Sequence, residues 1–394
     1  MSNSAEQFKQ QAQSLAGFIR QHYQVENSEE FIPLHAPCFD SQEKRLLNDC
    51  IDSTFVSSVG RYVDEFEQQV AEFTGAKHAV AVVNGTMGLF LALRVVGVEE
   101  HDLVITQSLT FVATANAIKM LGASPLFLDV DQSSLGLSAK ELETFLAKET
   151  EVKQGQCFHK ASGKRISACV PMHTLGFSSE IEEIVLLCHQ YHIKVVEDAA
   201  ESLGSYYQSK HTGRFGDLGV FSFNGNKVIT TGGGGMLITN NSELAKQAKH
   251  LSTTAKVAHA WLFEHDQIGY NLRMPNINAA LGVAQMQKLP AFLEQKKQLA
   301  EKYKAFIGTL DAFSWVEPLG ASEANHWLNA ILCPAEQRDQ LLALLNDQGI
   351  QARPLWTPLH QQDIYRDELC YGMKNTEWLA ARLVNIPSGV VCNA

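Results

Sequence analysis

Apolar residues recur along most of the chain with two different spacings. Short continuous apolar runs alternate with stretches in which apolar residues return every three or four positions. The runs lie at residues 79–83, 103–106, 125–130, 168–172, 193–197, 220–223 and 236–239. Strand-like runs separated by amphipathic helices predict an α/β domain with a mostly parallel sheet, covered by helices on both faces.

The two ends of the chain depart from this alternation. Near the start, Phe8, Ala12, Leu15 and Ile19 form one apolar stripe on an otherwise polar helix, which predicts a helix that docks on the body. After Pro290 a long polar helix precedes shorter strand-like runs. We therefore expect an N-terminal extension (1–30), a large domain (31–290) and a small α+β domain (291–394).

Composition narrows the class of protein. The 394 residues are 45% hydrophobic and 19% charged, which is typical of a globular protein. A net charge of -11 without a Lys/Arg block argues against a nucleic-acid surface. No secretory signal or membrane-length apolar stretch is visible, so we expect a cytoplasmic protein without a membrane partner. Eight single cysteines without a CxxC pair predict reduced thiols and no metal site.

Lys227 stands in a segment that combines a strand end, a polar turn and four consecutive glycines, GDLGVFSFNGNKVITTGGGGMLIT. In open α/β sheets ligands bind at the carboxyl ends of the strands. A lysine displayed there beside glycine backbone is accessible to a planar, electrophilic ligand. A solvated lysine before a flexible loop would look the same, so the neighbouring strand ends must decide.

Two of those strand ends supply complementary groups. In VVEDAAESLGS a strand ends at Glu197 and Asp198. A carboxylate there can keep the ring nitrogen of an aromatic ligand protonated, although a helix cap would use it too. In AVAVVNGTMG a strand runs into a helix start at Asn84, Gly85 and Thr86, where free amides bind a phosphate group. Their common edge predicts one site.

These motifs together resemble those of the DegT/DnrJ/StrS sugar aminotransferases, which belong to the aspartate-aminotransferase fold type (fold type I). The resemblance extends from about residue 32 to residue 389. It implies a large, mixed but mostly parallel sheet domain that binds pyridoxal 5′-phosphate, and a small α+β C-terminal domain. Lys227 would be the catalytic residue that bonds covalently to the cofactor and later moves a proton.

The resemblance also implies roles for other residues. Asp198, the second catalytic residue, would pair with the pyridine nitrogen. Glu201 stands where many members carry Gln or His beside the phenolic oxygen, and a carboxylate there has to be protonated or compensated. The remaining cofactor contacts would come from Thr86, Met87, Phe111, Ser222 and Asn271.

Some of these correspondences imply a second subunit or leave more than one role open. Asn271 matches the residue that reaches the phosphate from a neighbouring subunit, which implies a homodimer with shared active sites. Phe111 would cover the ring face, although burial in the core is the ordinary alternative for an aromatic residue. Arg273 fits either the dimer interface or a phosphate on the sugar side.

The substrate follows from resemblance alone. The segments IPLHAPCFD, NGNKVITTGGGGM and NHWLNAIL resemble most the branch that aminates UDP-linked 4-keto-6-deoxy-N-acetylglucosamine with L-glutamate. That branch supplies amino sugars of the legionaminic acid or bacillosamine type for surface polysaccharides, lipopolysaccharide among them. Substrate contacts would come from His173, His326, Trp327, Arg353 and His360, although core packing or surface ion pairs are typical of such residues as well.

Three alternatives stay open. A GDP-linked substrate leading to perosamine fits the same motifs. A dehydratase of the family is disfavoured, because those members replace the anchoring lysine with histidine and this chain retains Lys227. A non-catalytic regulator or scaffold that binds the cofactor would not need Lys227, Asp198, Thr86, Ser222 and Asn271 together.

Overall fold

The fold is known from a computed structural model, which describes residues 2–27 and 30–392, with side chains from residue 6 onward. Most of the helices follow the apolar spacing of three to four residues. They are α1 (Ser2–Tyr23), α2 (Ser41–Asp52), α3 (Arg61–Thr74), α4 (Gly85–Val95), α5 (Val112–Lys119), α6 (Ala139–Glu149), α7 (Ile181–Gln190), α8 (Ser242–Ser252), α9 (Asn276–Ile307), α10 (Arg338–Asp347) and α11 (Lys374–Ala380). None of the helices in the described part is long and apolar enough to cross a bilayer.

The strands are short, and those near the middle of the large sheet are almost entirely buried. They are β1 (His78–Val82), β2 (Leu103–Gln107), β3 (Ser124–Leu128), β4 (Thr150–Lys153), β5 (Gln156–His159), β6 (Arg165–Val170), β7 (Lys194–Asp198), β8 (Tyr206–Tyr207), β9 (Lys210–His211), β10 (Leu218–Ser222), β11 (Gly235–Thr239), β12 (Ser314–Trp315), β13 (Ser322–Glu323), β14 (Asn329–Leu332), β15 (Arg353–Pro354), β16 (Cys370–Tyr371) and β17 (Leu383–Ile386).

The large sheet has the strand order β1-β11-β10-β7-β6-β2-β3-β16, with the β4–β5 hairpin attached to β6. From β10 to β16 each pair along this path is parallel, whereas β11 runs antiparallel to both β1 and β10. The mixed, mostly parallel sheet confirms the fold class. Because β7 and β10 are parallel neighbours, the residues that follow them meet at one edge.

The C-terminal part packs a small antiparallel sheet, β12-β14-β17-β15, against α9 and α10. Helix α9 spans Asn276–Ile307 and contains Pro290, so the division predicted at residue 290 falls inside a continuous helix and stays a prediction. The apolar stripe of α1 packs on this part: Phe8, Leu15 and Ile19 are buried against α9, the small sheet and α10.

One cysteine pair differs from the expectation of unpaired thiols. Cys38 and Cys392 form a disulfide, with Cα atoms 5.7 Å apart, that joins the segment before α2 to the C-terminal segment. The prediction of reduced thiols is therefore wrong for these two residues, because the pairing is between positions 354 residues apart that only the fold brings together. The six other cysteines are unpaired.

Candidate active site

A cavity of about 790 Å³ lies where the carboxyl ends of the large-sheet strands face the C-terminal part of the chain. A volume of this size is typical of sites for small molecules and cofactors. The cavity collects eight of the residues singled out in the sequence: Thr86, Phe111, Asp198, Glu201, Ser222, Lys227, Trp327 and Arg353.

Lys227 occupies the turn between β10 and β11, and its side chain is largely buried. The amine lies 3.3 Å from Oε1 of Glu201 and 3.9 Å from the centroid of the Trp327 ring. The turn is closed by the Lys227 amide, which donates to the carbonyl of Asn224 at 3.0 Å. The lysine therefore extends into the cavity rather than into solvent, as the covalent-site hypothesis predicts.

Glu197 and Asp198, at the end of β7, have different roles. Adjacent strand residues point to opposite faces of a sheet. Glu197 accepts amide hydrogens from Gly213, Phe215 and Gly216 at 2.6–2.7 Å and therefore braces that loop. Asp198 lines the cavity instead.

The Asp198 carboxyl has defined partners at the cavity wall. Oδ2 accepts from the Thr114 hydroxyl at 2.6 Å, and Oδ1 accepts from the amide of Ala200 at 3.1 Å. Burial raises the pKa of Asp198, and these hydrogen bonds together with the charge of Lys227 oppose that shift. A cationic partner in the cavity would further favour the ionised carboxylate.

Glu201 places a second carboxyl group in the cavity, beside the Lys227 amine. Its Oε2 accepts from the amide of Leu175 at 2.8 Å. Leu175 has a left-handed backbone (φ 58°) that aims this amide at the carboxyl, an uncommon conformation for a residue other than glycine. Burial raises the pKa of Glu201 to about 7, and the nearby Lys227 opposes the shift. A carboxyl with this pKa can hold or release a proton near neutral pH.

The phosphate end of the cavity is the N-terminus of α4. Asn84 caps the helix by accepting from the Met87 amide at 2.8 Å, so the Met87 amide predicted to bind phosphate is already occupied, and Met87 does not line the cavity. The amides of Gly85 and Thr86 donate to no other described residue. With the hydroxyls of Thr86 and Ser222 they form the donor set that a phosphate group needs.

Two glycines of the run, Gly234 and Gly235, are required by close packing. A Cβ on Gly235 would lie 2.6 Å from the carbonyl carbon of Asn84, and one on Gly234 would lie 2.2 Å from Oγ1 of Thr231. Gly85 similarly faces Ser222, whose Cβ would be 3.0 Å away. These glycines let β10 and β11 approach the start of α4, and that close approach brings the phosphate donors beside the Lys227 turn.

Five predicted residues lie outside the cavity lining of this chain: Met87, His173, Asn271, His326 and His360. His173 is buried, with Nε2 2.9 Å from Oε2 of Glu197 and Nδ1 accepting from the Ser179 amide at 3.3 Å. Both ring nitrogens of His173 therefore have partners inside the protein. From the segment 173–176, it is Leu175 that lines the cavity. The predicted substrate contact of His173 stays a prediction.

The two other histidines also have internal surroundings. His360 Nδ1 lies 2.7 Å from the Ser108 hydroxyl and Nε2 lies 3.4 Å from Glu377. His326 is half-buried, and its partial desolvation lowers its pKa to about 4. Neither lines the cavity of this chain, and their predicted substrate contacts stay predictions. Asn271 is exposed on the surface, so it could reach a site only in another subunit.

Several cavity residues were missed in the sequence. They come from the segment before α2 and from the C-terminal part: Leu34, His35, Gln351, Leu355, Trp356 and Asn385. Trp356 packs near Phe111, with ring centroids 6.4 Å apart. Leu34 and His35 lie in the segment IPLHAPCFD, but no residue of it was assigned to the site. No local motif marks the other positions, because apolar or amide side chains in a single sequence carry no signal of a ligand.

The residues present fit pyridoxal phosphate. A partly buried lysine amine, a buried carboxylate and free helix-start amides with two hydroxyls meet in one cavity. The Phe111 side chain is 51% exposed in that cavity, which leaves an aromatic face available to a planar ring. Lys227 would hold the aldehyde carbon, Asp198 the pyridine nitrogen, and the start of α4 the phosphate.

Comparisons with known proteins agree with this fit. A model of the DegT/DnrJ/EryC1/StrS aminotransferase family matches residues 37–393. EpsN of Bacillus subtilis (strain 168), named as a pyridoxal phosphate-dependent aminotransferase, is 37% identical over 367 residues, which are 91% of each chain. A GDP-perosamine synthase of Escherichia coli O157:H7 is 36% identical over 91% of this chain and 93% of that protein.

A solved structure extends the agreement to the fold. The aminotransferase TlmJ from Streptoalloteichus hindustanus superimposes with a TM-score of 0.83 at 28% identity, covering 91% of this chain and 94% of TlmJ. Residues 37–393, which the family model matches, contain Lys227, Asp198 and the segment from Asn84 to Thr86. The chain belongs to the DegT/DnrJ/EryC1/StrS family of pyridoxal-phosphate-dependent sugar aminotransferases.

Proposed function

We propose that this enzyme transfers the amino group of L-glutamate to a nucleotide-linked 4-keto-6-deoxy sugar, with UDP-4-keto-6-deoxy-N-acetylglucosamine as the substrate. The observation that carries the proposal is the Lys227 amine, held in the cavity between Glu201 and Trp327 and within the electrostatic influence of Asp198. The product would be an amino sugar for surface polysaccharides.

The side chains divide the chemistry among them. Bound pyridoxal phosphate supplies an aldehyde and an electron-accepting ring. Lys227 carries the amine that bonds to it and, once released by the incoming amino donor, takes a proton from the substrate carbon and returns it. Glu201, with a pKa of about 7, can hold a proton beside that amine. Asp198 supplies the negative charge that keeps a ring nitrogen protonated.

Apolar side chains form part of the cavity wall beside these groups. Leu89, Leu175 and Leu355 line the cavity together with the Phe111–Trp356 pair. An apolar wall lowers the local dielectric constant and thereby strengthens the electrostatic interaction of Lys227 with the two carboxyls. On the C-terminal side Arg353 offers the one cationic group with a planar fork among the lining residues, suited to a diphosphate.

We further propose that the enzyme acts as a homodimer with shared sites. Beside Asn271, residues 257–268 expose Trp261 (76%), Phe263 (79%) and Ile268 (81%). Contiguous exposed apolar side chains of this kind are typical of interaction surfaces. A second copy that covers these side chains would also bring Asn271 to the partner's phosphate donors. No contact within one chain accounts for this role of Asn271.

Mixed dimers test this arrangement. Lys227→Ala and Asn271→Ala proteins, each inactive or weak alone, should regain activity when their subunits are exchanged, because one site per mixed dimer then has both intact residues. Light scattering should give the mass of a dimer. A monomer, or mixed dimers with no recovered activity, would contradict the shared site.

The substrate is tested by product analysis. The purified protein is incubated with L-glutamate and UDP-4-keto-6-deoxy-N-acetylglucosamine, and the product is identified by mass spectrometry and NMR. We expect the aminated nucleotide sugar together with 2-oxoglutarate. Borohydride reduction should attach the cofactor at Lys227, and its absence there would refute the assignment of that residue.

A GDP-linked 4-keto-6-deoxy sugar is the second candidate, because relatives named GDP-perosamine synthase are 36%, 34% and 32% identical to this chain. Parallel incubations with the UDP- and GDP-linked keto-sugars separate the two by their kcat/KM values. Amination of the GDP sugar alone would overturn the UDP assignment. Cofactor bound at Lys227 without amino exchange to either sugar would favour a regulator or scaffold instead.

A further inference from the structure

Trp327 has an environment that the resemblance does not explain. The sequence suggests a sugar contact, but its indole face lies over the Lys227 amine at 3.9 Å. Only 4% of the residue is exposed, and its Nε1–H donates to the carbonyl of Asn226 at 2.7 Å. Trp327 therefore holds both the end of the Lys227 side chain and the backbone of the turn that carries it.

The position of Trp327 is itself set by Asn325. The Asn325 Oδ1 accepts from the Trp327 amide at 2.9 Å, and its Nδ2 donates to the carbonyls of Glu201 and Leu203 at 2.8 and 2.9 Å. Its own amide donates to the Ser205 hydroxyl at 3.0 Å. A buried side chain with all its bonds made fixes a unique geometry. Asn325 thus ties Trp327 to the backbone of the residue that pairs with Lys227.

The neighbouring glycine confirms how closely this tie fits. Gly176 has a left-handed backbone (φ 92°), and a Cβ there would lie 1.9 Å from Oδ1 of Asn325. The residue before it, Leu175, donates its amide to Glu201. One tight contact therefore connects three features: the carboxyl beside the lysine, the Asn325 side chain and the ring above the lysine.

We infer that Trp327 is a positioning residue for Lys227 and that Asn325 holds it in register with Glu201. The Lys227 amine is fixed from two sides, by the Glu201 carboxyl and by the π face of an indole supplied from beyond α9. The attraction of an ammonium group to an indole face is electrostatic and strengthens when water is excluded. When the amine is released during turnover, this pair of contacts would keep it where it must take the proton.

This inference rests on the proposed function, because it assigns a role toward the reacting lysine. It differs from a sugar contact in its consequence. A residue that positions Lys227 changes the chemical behaviour of the amine and kcat, whereas one that only binds the sugar changes the KM for the nucleotide sugar. The two are separable in the same variant.

The test uses the cofactor-free full-length protein and three variants: Trp327→Leu, Trp327→Phe and, as matched control, Trp356→Leu. Trp356 also lines the cavity but pairs with Phe111. Each protein is treated briefly with a small amine-acylating reagent, and peptide mass spectrometry gives the rate of labelling at Lys227 relative to exposed lysines. Circular dichroism checks that each variant is folded.

We expect Trp327→Leu to raise the labelling rate of Lys227 by roughly 2- to 30-fold, the factor to which cation–π energies correspond. Trp327→Phe, which retains an aromatic face, should lie between Trp327→Leu and wild type, and Trp356→Leu should match wild type. In the active enzyme, Trp327→Leu should lower kcat by on the order of 10- to 100-fold, as a misplaced reacting group does.

Two outcomes would overturn the inference. One is unchanged labelling of Lys227 in both Trp327 variants with only KM for the nucleotide sugar raised, which would make Trp327 a sugar contact. The other is an equal rise in Trp356→Leu, which would make the effect one of cavity opening. Failure of the wild-type protein to bond pyridoxal phosphate at Lys227 would instead refute the proposed function, so the two failures are distinguishable.

Discussion

Lys227 and Lys296 both contact Trp327 and have opposite surroundings. Lys227 places its amine over the indole ring, with one carboxylate partner at 3.3 Å and an open cavity beside it. Lys296, on α9, donates to the carbonyls of Ser388, Trp327 and His326 at 2.6, 3.2 and 3.4 Å. Lys296 is 1% exposed and lines no part of the cavity.

The two lysines differ in how many hydrogen bonds the amine makes and in whether a ligand can reach it. An ammonium group has three hydrogens, and at Lys296 each has a carbonyl acceptor, so the amine is saturated and joins three chain segments. Burial lowers the pKa of Lys296 to about 7, yet no ligand can reach it. Lys227 keeps most of its bonding capacity unused and faces space. A shifted pKa alone does not identify a reactive group. The amine must also be accessible to a ligand and have free hydrogen-bonding capacity.

The largest expected effect contrasts the two residues directly. Lys227→Ala should lower amino transfer by on the order of 10²–10⁴-fold or more, because it removes both the covalent anchor and the proton carrier. Lys296→Met should leave kcat close to wild type. Steady-state assays of 2-oxoglutarate release measure both. Full turnover by Lys227→Ala would contradict the assignment of the reacting lysine.

Folding stability should show the reverse order. Lys296→Met leaves three buried carbonyls without a donor, so we expect the free energy of unfolding to fall by about 1–3 kcal/mol. Lys227→Ala should be much closer to wild type, because its amine lies in an open cavity. Urea unfolding of the cofactor-free proteins at neutral pH gives both values. A Lys296→Met protein as stable as wild type would show that the carbonyl contacts contribute little.

The pH dependence of stability sharpens the difference. The pKa of Lys296 is lowered from 10.5 to about 7 in the folded protein, so between these values the unfolded state binds more protons. Stability from this group is therefore present above pH 10.5 and lost as pH falls toward 7. The difference in free energy of unfolding between wild type and Lys296→Met should rise by at most about 1.4 kcal/mol per pH unit over this window.

Glu201 should give the smallest effect, of opposite sign. Its pKa is raised from 4.5 to about 7 in the folded protein, so its contribution is present below pH 4.5 and lost as pH rises to 7. Unfolding of cofactor-free wild type and Glu201→Gln should show the variant gaining relative stability by at most about 1.4 kcal/mol per pH unit across this range, which is narrower than the range of Lys296. A constant difference would mean that Lys227 holds the carboxyl ionised throughout.

The strand ends could be predicted because their signals are local. Lys227, Asp198, Thr86 and Ser222 each lie at or shortly after the end of an apolar run, and parallel strands bring such positions to one edge. The histidines could not be assigned in the same way. His173 and His360 belong to motifs or segments near the cavity, yet each points to a partner inside the protein. Side-chain direction there depends on packing that a single sequence does not show.

The sequence by itself determined the mostly parallel α/β fold and the family, and it predicted Lys227 as the reacting lysine, because apolar periodicity and short strand-end motifs depend on neighbours along the chain. Only the tertiary structure decided the rest of the site. Trp327 lies about a hundred residues from Lys227 in sequence and contacts it only across the fold. Asn325 and Lys296 contact Trp327 rather than Lys227. The fold decides which lysine faces the cavity and which is enclosed by carbonyl groups. Burial and hydrogen-bond partners depend on contacts between distant parts of the chain and not on residue type alone.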